Sequence, residues 1–322
     1  MASSWDGIAV LHSTDDKVSK FVFTKPDAVA EAVLYRYPSY VDRTVICCST
    51  MSGCMVGCRF CGAGDHYVRN LTALEIIDQV HACLISTGVE SVGHIRQLQI
   101  MFMSMGEPML NFKQVAIAIE YLHDIFPHAE LLISTMGPVG NYTPLFDLSH
   151  NIDKVGLQFS IHESTDAARS RLIPFRNKLD LIEIATVGAR WAQFTGRQAF
   201  FNYCVHEGNV SPADADRLRN LFHQVANGSS GNDTAKLWLP ERSHHDNVFN
   251  LFCFTRNNIQ CSPVLDFKAV RHIILLKQFY STRKNILQRM MIINRYRIRL
   301  FGHTQKRDFC SKYSCKPDTI FN

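Results

Sequence analysis

The chain of 322 residues reads as a parallel α/β protein, on three observations. Short strand-like runs alternate with stretches of helical spacing about six times along the chain. Such alternation implies a parallel sheet with crossover helices. One of the helical stretches opens on Thr72 with Glu75 three residues later, the pattern of a capping box, and carries apolar residues at Leu74, Ile76, Ile77, Val80, Cys83 and Leu84. The first apolar run of the alternation, residues 44–48, leads directly into a loop of cysteines, and ligand sites gather at the C-terminal ends of parallel strands. Periodicity alone does not separate an open sheet from a partial barrel.

In chain order, residues 17–24 and 29–35 read as two strands around the turn signal Lys25-Pro26-Asp27, a hairpin. Further strands are expected at 44–48, 97–103, 130–135, 155–160, 198–205 and 236–239. Helices are expected at 72–85, 112–126, 179–194 and from Pro212, well placed in a first helical turn, to about residue 225. Residues 227–233 read as a flexible polar loop. No internal repeat is present. The expected division is an N-terminal hairpin extension over 1–42 and a larger unit over 43–322 with a basic C-terminal segment.

Composition excludes several classes. A hydrophobic fraction of 46% is ordinary for a protein with a real core. No apolar run is long enough to span a bilayer. The N-terminus lacks the basic and apolar regions of a signal peptide. Eleven irregularly spaced cysteines then suggest a reducing, cytoplasmic setting and metal chemistry rather than a disulfide scaffold. The net charge is +5, but residues 262–316 carry thirteen Lys and Arg against Asp266 and Asp308, a local +11 that leaves −6 elsewhere. A basic segment on an otherwise acidic chain suits a phosphate backbone or is simply a solvated face.

The chemistry centres on Cys54-Met-Val-Gly-Cys58-Arg-Phe-Cys61, flanked by Gly53 and Gly62, which would let the backbone wrap tightly. Three thiolates can ligate three irons of a [4Fe–4S] cluster and leave the fourth open. Zinc is the main rival, although zinc sites usually take four protein ligands. Three inert cysteines are the bland alternative.

This spacing is that of the radical SAM enzymes. With Cys54, Cys58 and Cys61, residues 44–54 and 69–80 resemble the RlmN/Cfr-type 23S ribosomal RNA adenine methyltransferases. Ser104-Met-Gly106-Glu107-Pro108, Ser134-Thr-Met-Gly137, Ser160-Ile161-His162, Arg169-Ser-Arg-Leu-Ile-Pro174 and Glu207-Gly-Asn-Val-Ser-Pro212 extend the likeness. The resemblance implies a radical SAM (β/α)6 partial barrel with an N-terminal β-hairpin extension. It implies a [4Fe–4S] cluster on Cys54, Cys58 and Cys61. It also implies S-adenosylmethionine held by Gly106, Glu107, Ser134, Ser160, Ile161 and His162. Ala30-Glu31-Ala-Val33 stands where the family has Val-Glu-x-Val, so Glu31 becomes the candidate proton acceptor. Cys47, seven residues before Cys54 and next to Cys48, matches the cysteine that resolves a protein–RNA link through a disulfide. Cys310, with Cys315 as fallback, would carry the methyl group. Asn247 is a looser candidate for a cofactor contact after the sixth strand.

The implied function is methylation of an adenine ring carbon in ribosomal RNA or tRNA, with a donor such as flavodoxin, no membrane and a monomeric state. The chain departs from the pattern in two places. It starts almost at the hairpin, without the family's helical accessory domain, and the family's Asp-Ile and Cys-Gly-Gln elements are absent near Cys310. The alternatives are a divergent radical SAM enzyme acting on a small molecule or peptide, an inactive relative, and a nucleic-acid-binding protein whose cysteines hold a structural metal.

Overall fold

In the computed structural model of the chain, residues 3–204, 206, 208–209, 211–228, 249–255 and 258–261 are described. The leading strands are β1 (Gly7–His12), β2 (Val18–Lys25), β3 (Ala28–Arg36) and β4 (Arg43–Cys48). A small ribbon, β5 (Met51–Gly53) and β6 (Tyr67–Asn70), brackets the cysteine loop. There follow α1 (Ala73–Ser86), β7 (Gln97–Phe102), α2 (Phe112–Ile125), β8 (Glu130–Thr135), α3 (Thr143–Asn151), β9 (Val155–Ser160), α4 (Asp166–Leu172), α5 (Leu181–Thr195) and β10 (Phe200–Cys204). Then come α6 (Pro212–Gly228), β11 (Phe249–Thr255) and β12 (Asn258–Cys261).

All strands but the ribbon form one sheet in the order β1-β2-β3-β4-β7-β8-β9-β10-β11-β12. The pairs from β4 to β11 are parallel, while β1 to β4 and β11 to β12 pair antiparallel. The six parallel strands follow chain order without the reversal that marks a doubly wound sheet. This is the winding of a barrel left open, so the architecture is a partial barrel, as the resemblance implies.

One face of the sheet is covered by helices. Ile46 and Cys48 of β4, Leu98, Ile100 and Phe102 of β7, and Leu131 and Ile133 of β8 pack there against Ile76, Val80 and Cys83 of α1 and Val115, Ile119 and Leu122 of α2. These are the period-two positions of strands and the 3.6-period stripes of helices meeting each other. Thr72 caps α1 as expected, with both bonds of the capping box present.

Three differences from the sequence expectation stand out. The expected strand at 236–239 falls outside the described residues, and the parallel neighbour of β10 is instead β11 at Phe249–Thr255. Asn227 and Gly228, read as loop, belong to α6. Gly62 does no tight turning, since a Cβ there would meet nothing within 4 Å, whereas Gly53 is required: its φ is 74° and a Cβ would lie 1.7 Å from the His66 carbonyl oxygen. No helix among the described residues is long and apolar enough to cross a membrane.

Glu75 in α1 is a buried carboxylate that ties three segments together. It accepts from Lys25 Nζ at 2.8 Å, from Arg69 at 2.8 and 2.9 Å, and from the Thr72 N–H at 2.9 Å. Burial alone would raise its pKa, but these partners override it and pull the pKa from 4.5 down to about 2. A depressed carboxyl contributes stability that is full above its unfolded value and is lost as pH falls through its folded value. Glu75→Gln is therefore expected to cost about 3 kcal/mol at neutral pH. It should also flatten the loss of stability between about pH 4.5 and 2, both read by urea unfolding across pH.

Candidate active site

The face of the sheet opposite the helices collects polar and sulfur-bearing side chains. Residues paired in register share a face, as do residues two apart on a strand. Glu31 and Val33 of β3 therefore lie on the same face as Cys47, which pairs with Val33 and with Met101. Met101 pairs with Leu132, two residues from Ser134, which pairs with Gln158. Ser160, two residues on, pairs with Asn202. Four of the residues that the resemblance implies, Glu31, Cys47, Ser134 and Ser160, thus fall on one surface. Cys48 falls on the other, within the apolar core.

The cysteine loop leaves the C-terminal end of β4. Its backbone is anchored by Cys54 N–H to His66 O at 2.9 Å and by Arg59 N–H to Leu172 O at 2.9 Å. No described cysteine is in a disulfide. Cys54, Cys58 and Cys61 are half-buried. Burial raises all three thiols, Cys54 to about 11, and each is raised further by another charge nearby: Glu107 and Cys61 at Cys54, Cys61 and Cys54 at Cys58, and Glu31 and Asp65 at Cys61. Thiols crowded in this way ionise together only when a cation sits among them. Among the described residues, no three His, Cys, Asp or Glu side chains converge as ligands of a single metal ion. An iron–sulfur cubane holds its thiolates on separate irons and so further apart than one zinc ion would. In chemistry, three thiols on one loop suit a cluster whose fourth iron is left open.

Glu107 follows β7 and is buried. Its Oε1 accepts the Met109 N–H at 3.0 Å and its Oε2 the Met136 N–H at 2.7 Å. Burial pushes its pKa up to about 7. The carboxylate thus ties the loop after β7 to the loop after β8, and its remaining lone pairs are available to a ligand. Gly106 has φ 101°, and a Cβ there would come within 2.7 Å of Met51 and of Thr50 Oγ1. Among the described residues, that Thr50 hydroxyl is buried without a hydrogen-bond partner, as is Asn202 Oδ1 beside Ser160. Unspent buried polar atoms are costly unless something satisfies them, which suits a polar ligand bound beside them.

Ile161 and His162 both donate their N–H groups to the Asn202 carbonyl, at 3.0 and 3.2 Å. His162 has φ 58°, uncommon for a residue with a side chain. Its Nδ1 accepts the Cys204 N–H at 3.1 Å. Burial, with Arg169 and His206, lowers its pKa to about 3, so the ring is neutral. The edge-to-face contact with Phe60, ring centroids 5.0 Å apart, sets this ring against the cysteine loop. Glu31 pairs with Lys20 at 2.7 Å, and Cys47 Sγ lies 4.0 Å from Met101 Sδ.

Cys310, Cys315 and Asn247 lie outside the described residues; Asn247 also precedes β11 in sequence rather than following it. Sequence reasoning overlooked Gln158, which donates to Ser134 Oγ at 3.1 Å, and Asn202; Arg169 stood in the Arg169–Pro174 motif without a role, and the structure buries it. The period of two along β9 and β10 was the signal for the first two. For Arg169 the motif was the signal, but its burial was not legible, because an arginine in a short polar helix reads as surface.

No protein-family model matches the chain. Among curated proteins, the chain is 33% identical over 201 residues to the probable dual-specificity RNA methyltransferase RlmN of Saccharopolyspora erythraea, covering 60% of this chain and 54% of that protein. It is 33% identical over 211 residues to the dual-specificity RNA methyltransferase RlmN of Anaeromyxobacter dehalogenans, covering 63% and 55%. The chain spans about half the length of the curated relatives it matches. Among solved structures, a radical SAM methyltransferase from Sphaerobacter thermophilus superposes with a TM-score of 0.60 at 29% identity, covering 68% of this chain and 64% of that one. Over the part it shares with these proteins, the chain resembles the RlmN-type radical SAM methyltransferases, a likeness that implies a [4Fe–4S] cluster and S-adenosylmethionine.

Proposed function

We propose that the chain is a radical SAM RNA methyltransferase that methylates a ring carbon of an adenine, in ribosomal RNA or tRNA, through a methyl-cysteine. One observation carries this reading beyond the radical SAM class: Glu31 and Cys47 share the inner face with Ser134 and Ser160. A proton acceptor and a thiol beside a cofactor pocket are what methyl transfer to an unreactive ring carbon requires. The relatives' names, dual-specificity RNA methyltransferases, support RNA as the substrate.

In this reading, Cys54, Cys58 and Cys61 hold the cluster, which when bound supplies the electron that cleaves S-adenosylmethionine to a reactive 5′-deoxyadenosyl species. The Glu107 carboxylate and the Gly106 backbone take the amino end of the cofactor. Ser134, Ser160, Ile161 and the neutral ring of His162 line its nucleoside end. Glu31 accepts a proton from the substrate; its ion pair with Lys20 is half-exposed and weak enough to yield. Cys47 releases the product by thiol attack, forming a transient disulfide with the methyl-carrying cysteine. We assign that carrier to Cys310. A donor such as flavodoxin supplies the electron.

After anaerobic reconstitution, the protein is expected to bind iron and sulfide in equal amounts and to release 5′-deoxyadenosine from S-adenosylmethionine. Cys58→Ala should lose both. Mass analysis of the intact protein should find one added methyl group, mapping to Cys310, and a ribosomal RNA fragment should gain a methyl group on adenine. Cofactor cleavage without protein or RNA methylation would instead place the substrate among small molecules or peptides.

Gly106→Ala forces a side chain into Met51 and Thr50 at a positive φ. It should weaken S-adenosylmethionine binding at least tenfold by equilibrium dialysis while leaving the iron content unchanged.

A further inference from the structure

Arg169 is a buried cation with no anion of its own. It lies on α4 and is 0% exposed. Its Nη1 donates to Leu179 O at 2.8 Å; its Nη2 donates to Met136 O and, at 3.5 Å, to Ser160 O. All three acceptors are neutral carbonyls. Its Nε has no hydrogen-bond partner among the described residues, and no described carboxylate forms an ion pair with it. Asp166 and Asp180 act on it from a distance, but their carboxylates are engaged by the Leu181 and Glu183 N–H groups, and the buried Glu107 feels its charge without pairing with it. A charge buried in this way is costly unless an opposite charge offsets it.

The surroundings show where that charge belongs. Ile173 donates its N–H to Arg169 O, one turn along the chain. Ile173 packs with Val56 and Met136 into a small apolar cluster that touches Cys54 and Cys58. The end of α4 also accepts the Arg59 N–H from the cysteine loop. The guanidinium itself donates to the carbonyl of Met136, a member of that apolar cluster, whose packing screens charge poorly, and Cys58 is among the groups whose charge it feels.

We propose that Arg169 is a positioning residue that sets the reduction potential of the cluster held by Cys54, Cys58 and Cys61. This rests on the radical SAM reading above. Each reduction adds one negative charge to a group already ringed by thiolates. A fixed buried cation stabilises the reduced form and so raises the potential. The same guanidinium gathers the carbonyls after β8 and β9, so cofactor loops and cluster share one support.

The test is a dye-mediated redox titration of the anaerobically reconstituted protein, followed by electron paramagnetic resonance of the reduced cluster. Arg169→Gln keeps donors but loses the charge. With iron and sulfide content unchanged, its potential should become more negative by the equivalent of a tenfold change in the reduction equilibrium, about 59 mV for one electron. Arg169→Lys keeps the charge and should stay near wild type. Asp166→Asn removes an opposing charge and should move the potential the other way, and it decides the matter if Arg169→Gln does not fold. An unshifted potential in Arg169→Gln with an intact cluster overturns the proposal. So does an equal negative shift in Arg169→Lys, or no positive shift in Asp166→Asn. A wild-type chain that assembles no cluster overturns the radical SAM reading itself.

Discussion

The cysteine loop is held by its backbone, and that constraint shapes the rest of the site. Thiols that ligate a cluster still need a fixed backbone to hold them at the right spacing. The Thr50 and Met51 N–H groups converge on Met105 O, the Leu71 N–H reaches Thr50 O, and Cys54 and Arg59 are pinned to His66 and Leu172. These bonds join the end of β4 to the loop after β7, to the β6 ribbon and to α4. Backbone hydrogen bonds suit this task because they fix position without adding charge next to the ligands. Gly53 and Gly106 stand where two such segments come too close for a side chain.

The ionisable groups around the loop follow from the same constraint. Glu107, His162 and Arg169 are all buried, and each spends hydrogen bonds on main-chain groups of loops at the C-terminal ends of the parallel strands. A buried polar group that braces a loop replaces hydration with fixed partners. The outcome differs by sign: burial pushes Glu107 up to about 7 and His162 down to about 3, toward neutral forms, whereas Arg169 stays charged.

Most of this architecture was legible in the sequence because it rests on local signals. The strands β4, β7, β8 and β9 are apolar runs of the length a parallel sheet needs, and α1 announces itself through Thr72 and Glu75. What was missed follows from the limits of those signals. The helix α4 has seven residues and its one fully buried side chain is an arginine, so neither length nor periodicity marks it. The helix α3 is short, begins with a proline in its first turn and mixes His, Asp and Ser with its apolar residues. The last parallel strand was expected at 236–239, where a short apolar run is as strand-like as the aromatic-rich Phe249–Thr255. Only pairing with β10 separates the two. Among the candidate residues, those that sit in motifs could be named from the sequence, whereas Gln158 and Asn202 depend on register between strands distant in sequence.

The hairpin illustrates what register adds. Because β3 runs antiparallel to β4, its early residues lie beside the late end of β4. Val33 is level with Cys47, so Glu31 is carried past the end of that strand, to the height where the cysteine loop departs. Ser49 fixes it there: its hydroxyl donates to Glu31 O at 2.6 Å and accepts the Glu31 N–H at 3.1 Å and the Met105 N–H at 3.2 Å. A parallel strand in the same place would have carried its corresponding residue toward the opposite end of the barrel. A one-residue slip would have turned the carboxylate into the apolar face, where Ala30 and Ala32 now fit between sheet and helix. The two small residues flanking Glu31 are thus as much a part of its placement as the glutamate itself. They let β3 press against the core while every second side chain faces the cysteines.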